Sequence, residues 1–127
     1  MEQLTKTSSI HCDPDRREIH FTIAGLWTLD AMQEFLRKLG GGARPLIETP
    51  GAFGALGDLS QFVTQQRDVA DAIGASLTAA QQHGLDRFAV VATSTLLQMQ
   101  YRRLAEGLEI EFFDSVAAAQ VWLRRPR

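Results

Sequence analysis

The segment Phe88-Ala89-Val90-Val91-Ala92-Thr93-Ser94 carries no polar residue until its end. A strand polar on neither face is covered by protein on both, and that arrangement belongs to parallel sheets with helices packed on each side. The run is therefore expected to be the central strand of an α/β sheet. Turn signals bracket it: His83-Gly84 closes the preceding segment, and Thr93-Ser94-Thr95 opens a helical pattern that lasts to Glu106-Gly107.

Leu4 to Cys12 alternates weakly, and after Asp13-Pro14-Asp15 the alternation is strict. Ile19, Phe21 and Ile23 share one face, and Glu18, His20 and Thr22 the other. Two such runs predict an antiparallel hairpin with one wet face, His11 and His20 falling on exposed positions. Met32, Phe35, Leu36 and Leu39 then recur at helical spacing. Thr28 is the expected cap, with Asp30 in the first turn, Arg37-Lys38 in the last and Gly40 as the stop. Trp27, just outside the cap, is placed to staple against Met32. Gly40-Gly41-Gly42, Pro45 and Pro50 predict a flexible connection too short to divide two domains.

Ala52 to Leu59, rich in small residues, reads as a strand closely covered by helices. A helix should start near Thr64, with Val69, Ile73, Leu77 and Ala80 as its apolar stripe and Gly84 ending it in the left-handed conformation. Thr95-Leu96-Leu97-Gln98 matches a capping box, with Leu97, Tyr101 and Leu104 facing inward. Leu108, Ile110 and Phe112 alternate with Glu109 and Glu111, as in an edge strand protected by charge. Asp114-Ser115 begins a last helix with Val116, Ala119, Trp122 and Leu123 on one side. The order β-β-α-β-α-β-α-β-α gives an α/β fold. It is a single mixed, mostly parallel sheet of about five strands, with one antiparallel edge and helices on both faces.

The 127 residues suit one domain spanning 1–127, large enough to bury roughly two-thirds of the surface its unfolded chain exposes. A net charge of -2 argues against a nucleic-acid partner. Arg102-Arg103 sit on a helix, and Arg124, Arg125 and Arg127 near the end read as a solvated tail. Cys12 stands alone and the three histidines are scattered, so no disulfide, metal or cofactor is expected. Met1-Glu2-Gln3-Leu4-Thr5-Lys6 lacks the form of a secretory signal, and no apolar run approaches the roughly 20 residues that span a bilayer. A cytoplasmic location is the expectation.

Open parallel sheets bind ligands beyond the carboxyl ends of their strands. Trp27-Thr28, Asp58-Leu59-Ser60-Gln61 with Gln65, and Thr93-Ser94 should all fall at that edge. The candidate site residues are thus Trp27, Thr28, Asp58, Ser60, Gln65, Thr93 and Ser94. Together they offer an aromatic face, one carboxylate, hydroxyls, an amide and the free N–H groups of helix starts, which hold anions. Thr28, Ser60 and Thr95 equally fit plain helix caps. No catalytic residue is assigned. Gly40-Gly41-Gly42 lacks the GxGxxG spacing, and the phosphate-loop, HExxH and GxSxG patterns are absent.

Four phrases carry a resemblance: Gly25-Leu26-Trp27-Thr28; Gly57-Asp58-Leu59-Ser60-Gln61-Phe62-Val63-Thr64-Gln65; Arg87-Phe88-Ala89-Val90-Val91 with Ser94 and Met99-Gln100; and Ala119-Gln120-Val121-Trp122-Leu123. With the element order, they make the chain resemble the small bacterial SpoIIAA-like proteins of the STAS type (sulfate transporter and anti-sigma factor antagonist). The resemblance implies a regulatory binding module, switched in anti-sigma factor antagonists by phosphorylation within an Asp-Ser-[Ser/Thr]-Gly type motif. This chain has Asp58-Leu59-Ser60-Gln61 there, with Ser60 and Thr64 as the nearest hydroxyls. The scaffold carries over and the switch does not.

The preferred reading is a non-catalytic module that binds a protein partner or a small anionic or lipidic ligand through the Trp27, Asp58-Ser60 and Ser94 edge. Assembly as a homodimer is compatible with it. The alternative is a small enzyme in the same crevice, with Asp58 as acid or base and Ser94 or Thr93 as an orienting hydroxyl.

Overall fold

The structure, a computed structural model, describes residues 8–127. The expected alternation from Leu4 up to residue 7 lies outside the described residues. β1 (Ser8–Asp13) and β2 (Glu18–Gly25) form the antiparallel hairpin, with Ile10 opposite Phe21 and His11 opposite His20. β3 (Phe53–Phe62), β4 (Leu85–Val91) and β5 (Glu109–Phe113) add to β2 in parallel, so that the sheet runs β1-β2-β3-β4-β5 in chain order.

That order corrects the expected rank of the Phe88 run: β3 lies in the middle, and β4 is one strand from the edge. Continuous apolarity reports cover on both faces and carries no information on position in the sheet. The cover itself is there, since Val90 and Val91 point to opposite faces and are 0% and 4% exposed.

Four helices intervene between the parallel strands: α1 (Leu29–Gly42), the one-turn α2 (Arg44–Ile47), α3 (Arg67–Gln82) and α4 (Thr95–Leu104). Strands added always in one direction by right-handed crossovers put every connecting helix on the same face. Only the last helix, α5 (Val116–Leu123), connects nothing onward and packs on the opposite face. The helix-rich face holds the larger core, through which Phe35, Phe21, Phe88 and Tyr101 pass in ring-to-ring contact with centroids 6.0, 5.9 and 6.2 Å apart. Under α5 lies a small cluster of Leu56, Ala89, Val91, Ala119 and Leu123.

The small residues of β3 answer to both faces. A Cβ on Gly54 would sit 2.7 Å from Leu123 Cδ1, and one on Gly57 would sit 2.7 Å from the Phe21 ring. In either case the facing side chain would have to shift, so glycine here permits close cover, as expected for this strand.

Several boundaries differ from expectation. Gly40 does not stop α1. The helix runs through all three glycines to a cap at Ala43, whose N–H donates to Leu39 O, because Leu39 and Ala43 still have core to cover. The flexible connection is thus mostly helical, with Pro45 in the first turn of α2, and Arg37-Lys38 fall short of the last turn of α1. β3 continues to the buried Phe62, which delays α3 to Arg67 instead of Thr64. In α4 the cap is Ser94 and not Thr95, and the Gln98 side chain donates to Ala92 O instead of closing a capping box. Val116 is exposed on α5, while Ala119 and Leu123 are buried. Thr28 does cap α1, accepting from Ala31 N, and Gly84 has φ +114°.

The expected wet face of β2 is closed at one end. Glu18 is only 3% exposed, because the Arg124 guanidinium grips its carboxylate through Nε and Nη2 at 3.0 and 3.1 Å and the chain beyond α5 covers it. His20 Nε2 donates to Glu18 Oε1, 2.9 Å away, and the ring is half-buried, whereas His11 is exposed as expected.

Candidate functional site

The carboxyl edge of the parallel strands is organised by Gln65. Its Oε1 accepts from Trp27 N at 3.0 Å, and its Nε2 donates to Gly25 O at 3.1 Å and to Val63 O at 2.6 Å. Its backbone exchanges two hydrogen bonds with the Gln100 side chain, each 3.1 Å. One buried amide therefore ties the β2–α1 loop, the β3–α3 loop and α4 together. Such a fully satisfied amide fixes geometry and has no group left for a ligand.

Trp27 follows the same logic. It is 6% exposed, its Nε1 donates to Ala24 O at 2.8 Å, and its ring meets Phe35 edge-on at 5.6 Å. The ring partner is thus Phe35, one turn beyond the staple residue Met32 that the spacing suggested. Thr28 and Ser94 accept from the first-turn N–H groups of α1 and α4. Thr93 is exposed beside a shallow depression formed with Gln98, Phe112, Phe113 and Asp114.

Asp58 lies on the other face of the sheet. Its register partners are Thr22 and Val91, and Val91 belongs to the α5 cluster. Its Oδ1 accepts from Ser60 N at 3.1 Å and from Ser60 Oγ at 2.7 Å. Successive side chains of a strand point to opposite faces, so a common edge does not make a common cleft. Trp27 and Gln65 are buried on the helix-rich side, and Asp58 and Ser60 pair with each other on the α5 side. The seven candidates share an edge and divide between two faces.

An apolar hollow lies elsewhere, between α1 and α3 over the sheet. It measures about 250 Å³ and its walls are apolar almost throughout: Phe21 and Phe88 from the sheet, Leu36 and Leu39 from α1, Ile73 and Leu77 from α3. Burial raises the Tyr101 hydroxyl at its wall well above the usual tyrosine range. Sequence reasoning assigned these side chains to the core and missed the space among them. The signal was present in small residues on facing helix surfaces, Gly40 on α1 with Ser76, Ala79 and Ala80 on α3, which approach without filling the gap.

Among the described residues no group of three His, Cys, Asp or Glu side chains is placed to hold a metal ion. No helix among them is long and apolar enough to cross a membrane.

A family model described as SpoIIAA-like matches residues 19–124, from the second strand through the last helix. The chain belongs to the SpoIIAA-like family. Its STAS-type fold also appears in the crystal structure of an uncharacterized protein from the DUF3478 family, with a SpoIIAA-like fold, from Shewanella loihica PV-4. The two superpose with a TM-score of 0.68 over 97% of this chain and 98% of that one, at 22% identity. That likeness supports the fold alone. No curated protein matches the chain. The SpoIIAA-like match ends at Arg124, and it includes both α1 and α3, which flank the hollow.

Proposed function

We propose that this SpoIIAA-like protein is a non-catalytic, cytoplasmic binding module that holds a small apolar ligand in the cavity between α1 and α3. The observation that carries the reading is the cavity itself. Protein interiors rarely contain gaps larger than a water molecule, and the apolar walls of a hollow of about 250 Å³ lack packing partners on one side. Apolar walls keep water poorly bound, so a ligand that fills the hollow supplies those partners. A cavity of about 150 Å³ accepts benzene, and by the same scale 250 Å³ accepts roughly ten carbons.

The test is a titration with naphthalene, followed by protein NMR. Saturable one-to-one binding with shifts confined to α1, α3 and the strands beneath is expected, and Ala80→Phe, which places a ring in the cavity, should abolish it. Absence of saturable binding by the wild-type chain rejects the reading.

A protein partner at the carboxyl edge is the second reading. It is favoured by Leu26, Val63, Leu96 and Met99, exposed at 42, 42, 68 and 53% on the loops and helix that Gln65 ties together. The serine phosphoswitch has no part in either reading. Ser60 lies on a strand and not at a helix start, and the Asp58 carboxylate beside it would repel a phosphate. An enzyme at this edge has less support, since Asp58 is engaged by Ser60 and Ser94 caps α4.

A further inference from the structure

Three consecutive glycines inside a helix need a reason, because each costs about 1 kcal/mol relative to alanine. Gly42 has one: a Cβ there would lie 2.9 Å from Ile10 Cγ2. Gly40 and Gly41 do not, since a Cβ at either would meet nothing within 4 Å. The two differ in one respect: Gly40 lines the cavity and Gly41 does not. Gly40, Ala79 and His83 are the exposed members of the lining and so mark its mouth.

The accessible polar groups of the lining are equally localised, while the Tyr101 hydroxyl is buried at the wall. Ser76 and His83 both come from α3 and its cap, and among the described residues neither side chain has a hydrogen-bond partner; His83 engages Ala80 through its backbone N–H alone. A ligand seated here therefore meets apolar wall along most of its body, the buried Tyr101 hydroxyl at one point, and accessible hydrogen-bonding groups toward the mouth.

Resting on the apolar-ligand reading, we propose that the natural ligand is a medium-chain amphiphile, a carboxylic acid or alcohol with its carbon chain inside and its polar end near His83 and Ser76, and that Gly40 is the portal residue that keeps the mouth open. A side chain at position 40 would project into the entry, whereas one at position 41 would project away from it. Helix propensity alone favours replacing both glycines, so the portal is the feature that separates them.

The experiment measures calorimetric binding of decanoic acid, 1-decanol and naphthalene to the full chain, with melting temperatures in parallel. Gly40→Leu should weaken all three ligands by roughly tenfold or more without lowering the melting temperature. Gly41→Ala should bind as the wild type does. Ser76→Ala combined with His83→Ala should weaken the acid and the alcohol several-fold and leave naphthalene unchanged. Full binding by Gly40→Leu overturns the portal, and unchanged acid and alcohol binding in the double variant overturns the placement of the polar end. Wild-type protein that binds naphthalene but neither amphiphile defeats this proposal and leaves the apolar-ligand reading standing. Wild-type protein that binds none of the three defeats both.

Discussion

The two faces of the sheet solve the same burial problem with different means. The helix-rich face buries aromatic rings and long aliphatic side chains under α1, α3 and α4, yet leaves a hollow of about 250 Å³. The α5 face buries a cluster of five residues between one eight-residue helix and the sheet, and the hollow of about 220 Å³ beside it is lined mainly by charged side chains, among them Arg16, Glu18, Arg124 and Arg125. This face makes up in polar ties what it lacks in apolar area. Arg124 grips Glu18, Arg127 pairs with Asp86, and the buried Arg87 donates to the carbonyls of Leu123, Arg125 and Pro126. Large side chains projecting from well-separated helices leave apolar gaps between them, whereas a short helix laid against glycine and alanine packs closely on the sheet. The face with more hydrophobic cover is therefore the one that holds an apolar hollow.

The comparison can be broken by truncation. Phe88→Ala removes the ring at the junction of Phe21 and Tyr101 and should cost about 3 to 5 kcal/mol. Leu123→Ala removes the side chain that covers Gly54 and should cost less, about 2 to 3 kcal/mol. Chemical denaturation reads both, and a Leu123→Ala loss exceeding that of Phe88→Ala would make the α5 face the main core.

A finer contrast comes from adjacent residues of β4. Val90 faces the helix-rich core and Val91 faces α5, so Val90→Ala and Val91→Ala should each destabilise by roughly 1 to 3 kcal/mol. A near-neutral Val91→Ala in the same measurement would mean that α5 covers the sheet loosely.

The smallest expected effect is one of pH. Burial would raise the Glu18 carboxyl, but hydrogen bonds and charge from Arg124 and His20 outweigh it and hold the group below the ordinary carboxylate range. Asp86 is lowered in the same way, burial opposing and Arg127 prevailing. A carboxyl lowered by folding contributes stability that is fully present above its unfolded value, about 4.3 for glutamate, and is lost as pH falls through the folded value. Glu18→Gln should therefore flatten the decline in melting temperature below about pH 4.3 while barely affecting Phe88→Ala relative to its parent. An unchanged acid profile in Glu18→Gln would show that the ties of the α5 face contribute nothing to stability.

Much of the fold was legible because local chemistry repeats the global answer. The alternation of Ile19, Phe21 and Ile23, the Thr28 cap, the Gly84 stop and the apolar β4 run each name an element without reference to any other. The helix boundary at Gly40 was misread because a glycine's bias toward stopping is weak beside the core that Leu39 and Ala43 still cover. The site was legible only as an edge. Trp27, Gln65 and Asp58 do gather at the carboxyl ends of parallel strands, but which face each side chain takes depends on register across three strands. The cavity left only the small residues Gly40, Ser76, Ala79 and Ala80 as a trace along the chain, since it is defined by what the side chains of two helices fail to reach.

The sequence by itself determined the elements, their order and the parallel character of the sheet, because periodicity, caps and crossover handedness are properties of short segments. Only the tertiary structure decided that β3 is central, that Glu18 is buried against Arg124, and that α1 and α3 stand apart over a hollow. Each of these depends on distances between residues remote in the chain. Such distances are set by the simultaneous packing of all the elements, and no stretch of sequence carries that information locally.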